Sequence, residues 1–172
     1  SLTAETHKKS LLALKARSQI AIDVLVRNLY ERTADIGFLS ADQDLCKYAR
    51  EVQAHSPDAL DAQRRDALLA RLRAYVAKYS LYRDIALLAS DGKVLLQLDS
   101  NEAAAAQRTD PLIAQTLTTR APYVETYRYT EVFTKHERSL VYSHRVGQGP
   151  ASDAVLCLSF DLDDEVNRIF SK

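Results

Sequence analysis

The stretch Tyr82-Arg-Asp-Ile-Ala-Leu-Leu-Ala-Ser-Asp-Gly-Lys-Val-Leu-Leu-Gln-Leu-Asp99 reads as two strands folded about Asp91-Gly92. An Asp-Gly pair supplies the positive φ angles of a tight two-residue turn, and apolar runs flank it on both sides. That turn sets a register in which Ser90 faces Lys93, Ala89 meets Val94, Leu87 meets Leu96 and Ile85 meets Leu98. One face of the hairpin is then wholly apolar, and Leu88 opposite Leu95 makes the other partly so. Such a hairpin needs cover on both faces.

Upstream, Leu11, Leu14, Ile22, Leu25, Leu29 and Ile36 recur at helical spacings among charged residues, which predicts one long amphipathic helix over 6–35. At ~1.5 Å per residue it is a rod of roughly 45 Å, longer than a compact domain needs, and so a stalk or a dimer seam. Gly37 marks its expected end, and Ser40-Ala-Asp-Gln43 matches a capping box for the next helix. Leu45, Tyr48, Ala49 and Val52 form the buried face of that second helix. Ser56 as cap and Pro57 in the first turn open a third, with Leu60, Leu68, Leu72, Val76 and Tyr79 facing inward.

Downstream, the alanine-rich stretch 101–108 reads as a loop or short helix, and Asp110-Pro111 starts a clearer helix to about Thr119. Strands follow at 123–132, 138–146 and 154–160, the first two joined around Thr134-Lys-His-Glu137, with a turn at Gly147-Gln-Gly-Pro150. Asp161 caps a closing helix. The fold class is α+β: a five-stranded antiparallel sheet with a long N-terminal helix, two further helices on one face, and a lid of about 101–119 on the other. One structural domain is expected, with its helical part at 1–80 and its sheet, lid and closing helix at 81–172.

Composition narrows the function. Lys+Arg and Asp+Glu both number 23, so no net charge draws the chain toward nucleic acid. Hydrophobic residues at 47% with 27% charged suit a folded domain, and no apolar run approaches the ~20 residues of a membrane span. A sequence that opens on Ser1 and contains no methionine reads as a piece of a longer protein. Cys46 and Cys157 are too few for a disulfide framework and suit small buried hydrophobes, although a single bridge between them stays open.

The order of elements resembles the Cache superfamily of PAS-like extracytoplasmic sensor domains of bacterial receptors. The likeness is carried by residues 82–94, by Arg108-Thr-Asp-Pro-Leu112, by Val155-Leu-Cys-Leu-Ser-Phe-Asp-Leu162 and by Asn28-Leu-Tyr-Glu-Arg-Thr-Ala-Asp-Ile-Gly-Phe-Leu39. It implies a non-catalytic input domain of a chemoreceptor, histidine kinase or diguanylate cyclase, with a small ligand held between sheet and lid. It also implies a periplasmic location, with membrane contact only through segments outside this sequence. The Arg-x-Trp-Tyr signature of amino-acid-sensing members is missing, since there is no tryptophan and Arg120-Ala-Pro-Tyr123 matches it poorly. Two copies are expected to pair through the N-terminal helix; a cytoplasmic PAS- or GAF-like module and a dimerisation module without ligand are the alternatives.

Candidate ligand contacts are Tyr127, Tyr129, Tyr142 and His144, with Arg108 and Arg145 as cations for a carboxylate or another polar metabolite. Half-buried sheets favour tyrosine without any ligand, which is the competing account. His7, His55, His136 and His144 lie in unrelated elements without HExxH or CxxC companions, so neither a metal nor another cofactor is expected. No G-x-S-x-G elbow or glycine-rich phosphate loop points to an enzyme. Asp161, Asp163, Asp164 and Glu165 complement the dipole of the closing helix.

Overall fold

The computed structural model describes residues 2–55, 58–79, 81–99, 107–133, 138–147 and 154–171, with the side chains of Leu2 and Ile169 left out. Its helices are α1 (Leu2–Ser40), α2 (Gln43–Ala54), α3 (Ala59–Val76), α4 (Pro111–Thr118) and α5 (Leu162–Phe170). The strands β1 (Tyr82–Ala89), β2 (Val94–Gln97), β3 (Val124–Tyr129), β4 (Arg138–Val146) and β5 (Ala154–Phe160) form one antiparallel sheet in the order β2-β1-β5-β4-β3. The α+β class read from the sequence is the class observed.

Every residue of β5 is buried. With β1 on one side and β4 on the other, it is the strand from which both layers are built. Ile85, Leu87, Leu140, Tyr142, Leu156, Leu158 and Phe160 face α1, α2 and α3 and join Ile36, Leu45, Tyr48, Leu68 and Leu72 in the larger core. Ala86, Leu88, Val141, Val155 and Cys157 face the other way and pack beneath Leu112 and Ile113 of α4 and Val132 and Phe133 of the β3–β4 connection. Both cysteines are free thiols. Burial drives the Cys157 thiol pKa up, which leaves it an inert core residue.

The hairpin departs from the two-residue turn. Ala89 N–H donates to Lys93 O at 2.8 Å, so Ser90, Asp91 and Gly92 form a three-residue connection, with Gly92 at φ +90°. The extra residue is absorbed by a bulge at Leu95: Leu88 pairs with Val94, and Leu87 with Leu96 as expected. Leu95 thereby joins Leu96 in the helical core, and Val94 packs toward the lid side.

Several helix ends also differ from expectation. α1 runs through Gly37 to Ser40, because Ile36 and Leu39 are both buried on it and a glycine inside a helix costs only ~1 kcal/mol. The cap of α2 is Asp42, which accepts from Leu45 N, in place of Ser40. Asp58 caps α3 in a reciprocal box with Asp61. Ser56 and Pro57 lie outside the described residues, as do the loop 134–137, residues 148–150 of the Gly147–Pro150 turn and the alanine-rich 101–106. Leu60 is exposed and Leu69 takes its place in the core. β3 is shorter than expected and ends at Tyr129.

α1 is held by polar bonds as well as by packing. Asp35 accepts from the Tyr75 and Tyr82 hydroxyls, both at 2.5 Å, and lies 3.2 Å from Arg32 Nε. Burial and the Asp35 carboxylate drive both phenol pKa values up, so the hydroxyls stay protonated and donate. Asn28 donates to Glu165 of α5 at 3.3 Å, which ties the two terminal helices together.

Gly92 is also a point of close approach. Arg108 N–H donates to Gly92 O at 2.7 Å, and a Cβ at position 92 would sit 1.8 Å from Arg108 O. Gly92→Ala is therefore expected to lower stability by about 2–4 kcal/mol, through the positive φ together with the clash. Urea unfolding checks this, and a loss under ~0.5 kcal/mol would show that the 107–108 segment gives way freely.

Candidate functional site

The lid face of the sheet is apolar in its centre and polar at one end. Asp84, two residues from Ala86 on the same face of β1, has its carboxylate buried. Its Oδ1 accepts from the N–H groups of Ile85 at 2.8 Å and Asp99 at 3.1 Å, and its Oδ2 from Gln97 Nε2 at 2.8 Å. Arg108, only 4% exposed, reaches Gln97 Oε1 at 3.4 Å. Desolvation drives the Asp84 pKa up and outweighs the three hydrogen bonds that oppose it. Ser159 lies beside Asp84 across the β1–β5 ladder and is buried as well.

The lid helix is fastened at two points. Thr116 Oγ1 shares a 2.8 Å hydrogen bond with Ser143 on β4, deep under α4. At the helix start, Asp110 caps Leu112 N–H at 2.8 Å, accepts from Glu131 N–H at 2.9 Å and holds Arg128 of β3 in a forked pair at 2.7 and 3.1 Å. One carboxylate thus joins helix, strand and the β3–β4 connection. Burial pushes its pKa up, but Arg128 and the two N–H groups outweigh that and hold it below the ordinary carboxylate range.

The structure divides the residues singled out from sequence. Arg108 and Arg145 lie on the lid side, Arg108 buried in the polar corner and Arg145 exposed beyond it. Tyr142 and His144 point to the opposite, helical side. Tyr142 is a core residue there, packed against Phe160 at 4.9 Å and Tyr123 at 5.2 Å between ring centroids. Tyr127 and Tyr129 share that side at the edge strand, 47% and 59% exposed, with Arg138 within 6 Å of both rings. The four therefore do not converge with Arg108 beneath the lid. Alternation forbids it, because Leu140 pairs with Tyr127 and belongs to the helical core. Sequence reasoning passed over Asp84, Gln97, Thr116 and Ser143. The signal was present for Asp84, a carboxylate in phase with Ala86 and Leu88 on a face that must be covered.

No protein-family model matches this sequence, and no curated protein matches it. Solved structures do. The fold is that of sensor domains of bacterial signalling receptors, as the Cache-like order of elements implied. The sensor domain of the V. cholerae histidine kinase DctB superposes with a TM-score of 0.68 at 12% identity, over 97% of this chain and 61% of that one. A domain of a sensory box/GGDEF family protein from Vibrio parahaemolyticus gives 0.58 at 14% identity, over 94% of this chain and 62% of that one. The ligand-binding domain of the Campylobacter jejuni chemoreceptor Tlp3, solved with 4-methylisoleucine, gives 0.51 at 16% identity, over 92% of this chain and 62% of that one. The chain spans about three-fifths of the length of these structures. Among the described residues, no helix is long and apolar enough to cross a membrane.

The Asp110 junction makes a pH prediction. A folded pKa below the unfolded value of ~3.9 contributes stability that is present above that value and lost as pH falls through the folded one. Asp110→Asn keeps the cap but loses the charge, and with Arg128 42% exposed the loss at pH ~7 should be about 1 kcal/mol. The difference from the unmodified protein should shrink as pH falls below the unfolded value. Urea midpoints on either side of that value check this, and a difference independent of pH would remove the charge from the account.

Proposed function

We propose that this chain is the ligand-sensing input domain of a bacterial receptor and binds a small polar molecule between the lid face of the sheet and the 101–119 segment. The observation that carries the reading is the buried polar corner of Asp84, Gln97 and Arg108, next to an apolar floor on the face where a lid helix is fastened. Ligand sites combine apolar walls with a few convergent polar groups, and a guanidinium suits a carboxylate. Arg108 is the principal contact in this reading, and Arg145 lies at the open rim of the same face. Binding that favours one lid arrangement would bias the helices leading to an output module, by as much as its differential affinity for the two arrangements. Extracellular domains of two histidine kinases share the fold, at TM-scores of 0.60 and 0.56, and support an extracytoplasmic location, with any catalysis in a separate output domain.

The test is a thermal-shift screen of the chain against amino acids, dicarboxylates and other small carboxylates. At least one compound should raise the melting temperature in a saturable way, worth ~2.7 kcal/mol at 100-fold excess over its dissociation constant. Arg108→Gln should abolish that response, whereas Tyr127→Ala and Tyr129→Ala, on the other face, should keep it. A hit that ignores Arg108 would overturn the site.

Pairing of two copies through α1 has an observation of its own. Ile22, Val26 and Tyr30, one helical turn apart, are 45%, 59% and 76% exposed and form a second apolar stripe beside the buried one. Sedimentation equilibrium should show a dimer that Val26→Glu weakens by about tenfold or more. A monomer at ~100 μM would exclude a stable pair.

A further inference from the structure

On the helical side of the sheet, the end of α2, the first turn of α3 and the β1–β2 turn border a cavity of about 360 Å³. Ala89, Val94 and Leu95 line it from the hairpin, and Val52 and Ala62 from the helices. At one end, His55, Asp58 and Asp61 each bring a nitrogen or oxygen to within 4.8 Å of the others. The Asp58 N–H donates to Asp61 Oδ2 at 3.2 Å, and the Asp61 N–H to Asp58 Oδ1 at 2.9 Å. His55 Nε2 lies 2.7 Å from the same Asp61 oxygen. Burial pushes the Asp61 pKa up, but the His55 and Asp58 hydrogen bonds outweigh it and keep this carboxyl ionised at neutral pH.

Three ligand classes can be compared on this lining. An anion would meet carboxylates Asp58, Asp61 and Asp91, which outnumber cations Arg65 and Lys93 in the lining, and the capping box already takes the Asp58 and Asp61 N–H groups. A bare divalent cation would have to displace the proton between His55 and Asp61 and would leave the apolar floor unused. A primary ammonium needs one further lone pair from each carboxylate, Oδ2 of Asp58 and Oδ1 of Asp61, which Arg64 Nη1 approaches only to 3.8 Å, and it leaves the capping box intact. An apolar body attached to it then covers Ala62, Val94 and Leu95.

We propose that this cavity is a second binding site, for a small organic molecule carrying a primary ammonium group on an apolar body, with the ammonium held by Asp58 and Asp61. It lies on the opposite face of the sheet from the lid site and stands without it. Its occupant would touch Val94, which also packs toward the lid-side core, so the hairpin is shared between the two sites.

The experiment is a titration of the chain with n-butylammonium chloride followed by amide NMR, with tetramethylammonium chloride and zinc chloride in parallel. Saturable shifts should appear at the amides of Asp58, Asp61, Ala62 and Leu95, in the millimolar range expected of so small a ligand. Tetramethylammonium, which has no N–H donors, should bind about tenfold more weakly. Asp58→Asn retains a good helix cap and should weaken butylammonium by about tenfold, and Ala62→Leu should block the cavity with the carboxylates in place. No saturable shift, an equal response to tetramethylammonium, unchanged binding in Asp58→Asn, or a response to zinc alone would each overturn the proposal.

Discussion

Everything in this molecule depends on β5 being buried along its whole length between β1 and β4. A strand whose two faces are both apolar cannot end in solvent on either side, so the sheet must be covered twice. α1, α2 and α3 cover one face, and α4 with the β3–β4 connection covers the other. Alternation along each strand then assigns every sheet residue to one of two environments, and a one-residue error in register would exchange them. The bulge at Leu95 and the three-residue turn at Gly92 belong to this constraint, since together they keep Leu87 opposite Leu96 while sending Val94 to the lid side.

The two layers differ in chemistry. On the helical side a run of rings passes from Phe38 through Tyr75, Tyr79, Tyr82 and Phe160 to Tyr142 and Tyr123, with neighbouring centroids 4.9 to 6.3 Å apart. Asp35 binds two of these tyrosines, and the Arg32 guanidinium lies 3.6 Å from the centre of a third. α1 is thereby coupled rigidly to α3 and to the start of the sheet. On the lid side, carboxylate, amide and guanidinium groups are buried at one end and small hydroxyls lie under α4. Buried polar groups of this kind are costly unless satisfied, and a ligand is one way to exploit them. The side that holds the long helix and the side that carries the buried polar corner are the two faces of one sheet.

Much of this was legible in the residues. β4 and β5 begin and end where alternation and the flanking turn residues place them, and Asp110-Pro111 opens the lid helix with its cap and its proline at the first position. The need for cover on both faces of the hairpin was legible too. What misled was local chemistry overruled by packing. Gly37 looks like a helix terminator, yet Ile36 and Leu39 are worth more buried in the core than the glycine costs. Tyr142 and His144 look like ligand groups on a strand, but nothing in a single strand tells which face meets the helices. Asp84 stands in the same phase as Ala86 and Leu88, and it was the helix-facing partner residues that decided it would be buried beneath the lid.

The sequence by itself determined the elements, their order, the antiparallel hairpin and the requirement for two covering layers, because period, caps and turn residues are local properties of the chain. Only the tertiary structure decided which face of each strand became the helical core and which the lid side. That choice rests on pairings between residues about 70 apart, such as Ala86 with Cys157, and no local pattern encodes such a pairing. The same holds for the polar corner of Asp84, Gln97 and Arg108 and for the cavity beside Asp58 and Asp61. Each joins side chains from separate elements, and their chemistry exists only once the hairpin is packed between its two covers.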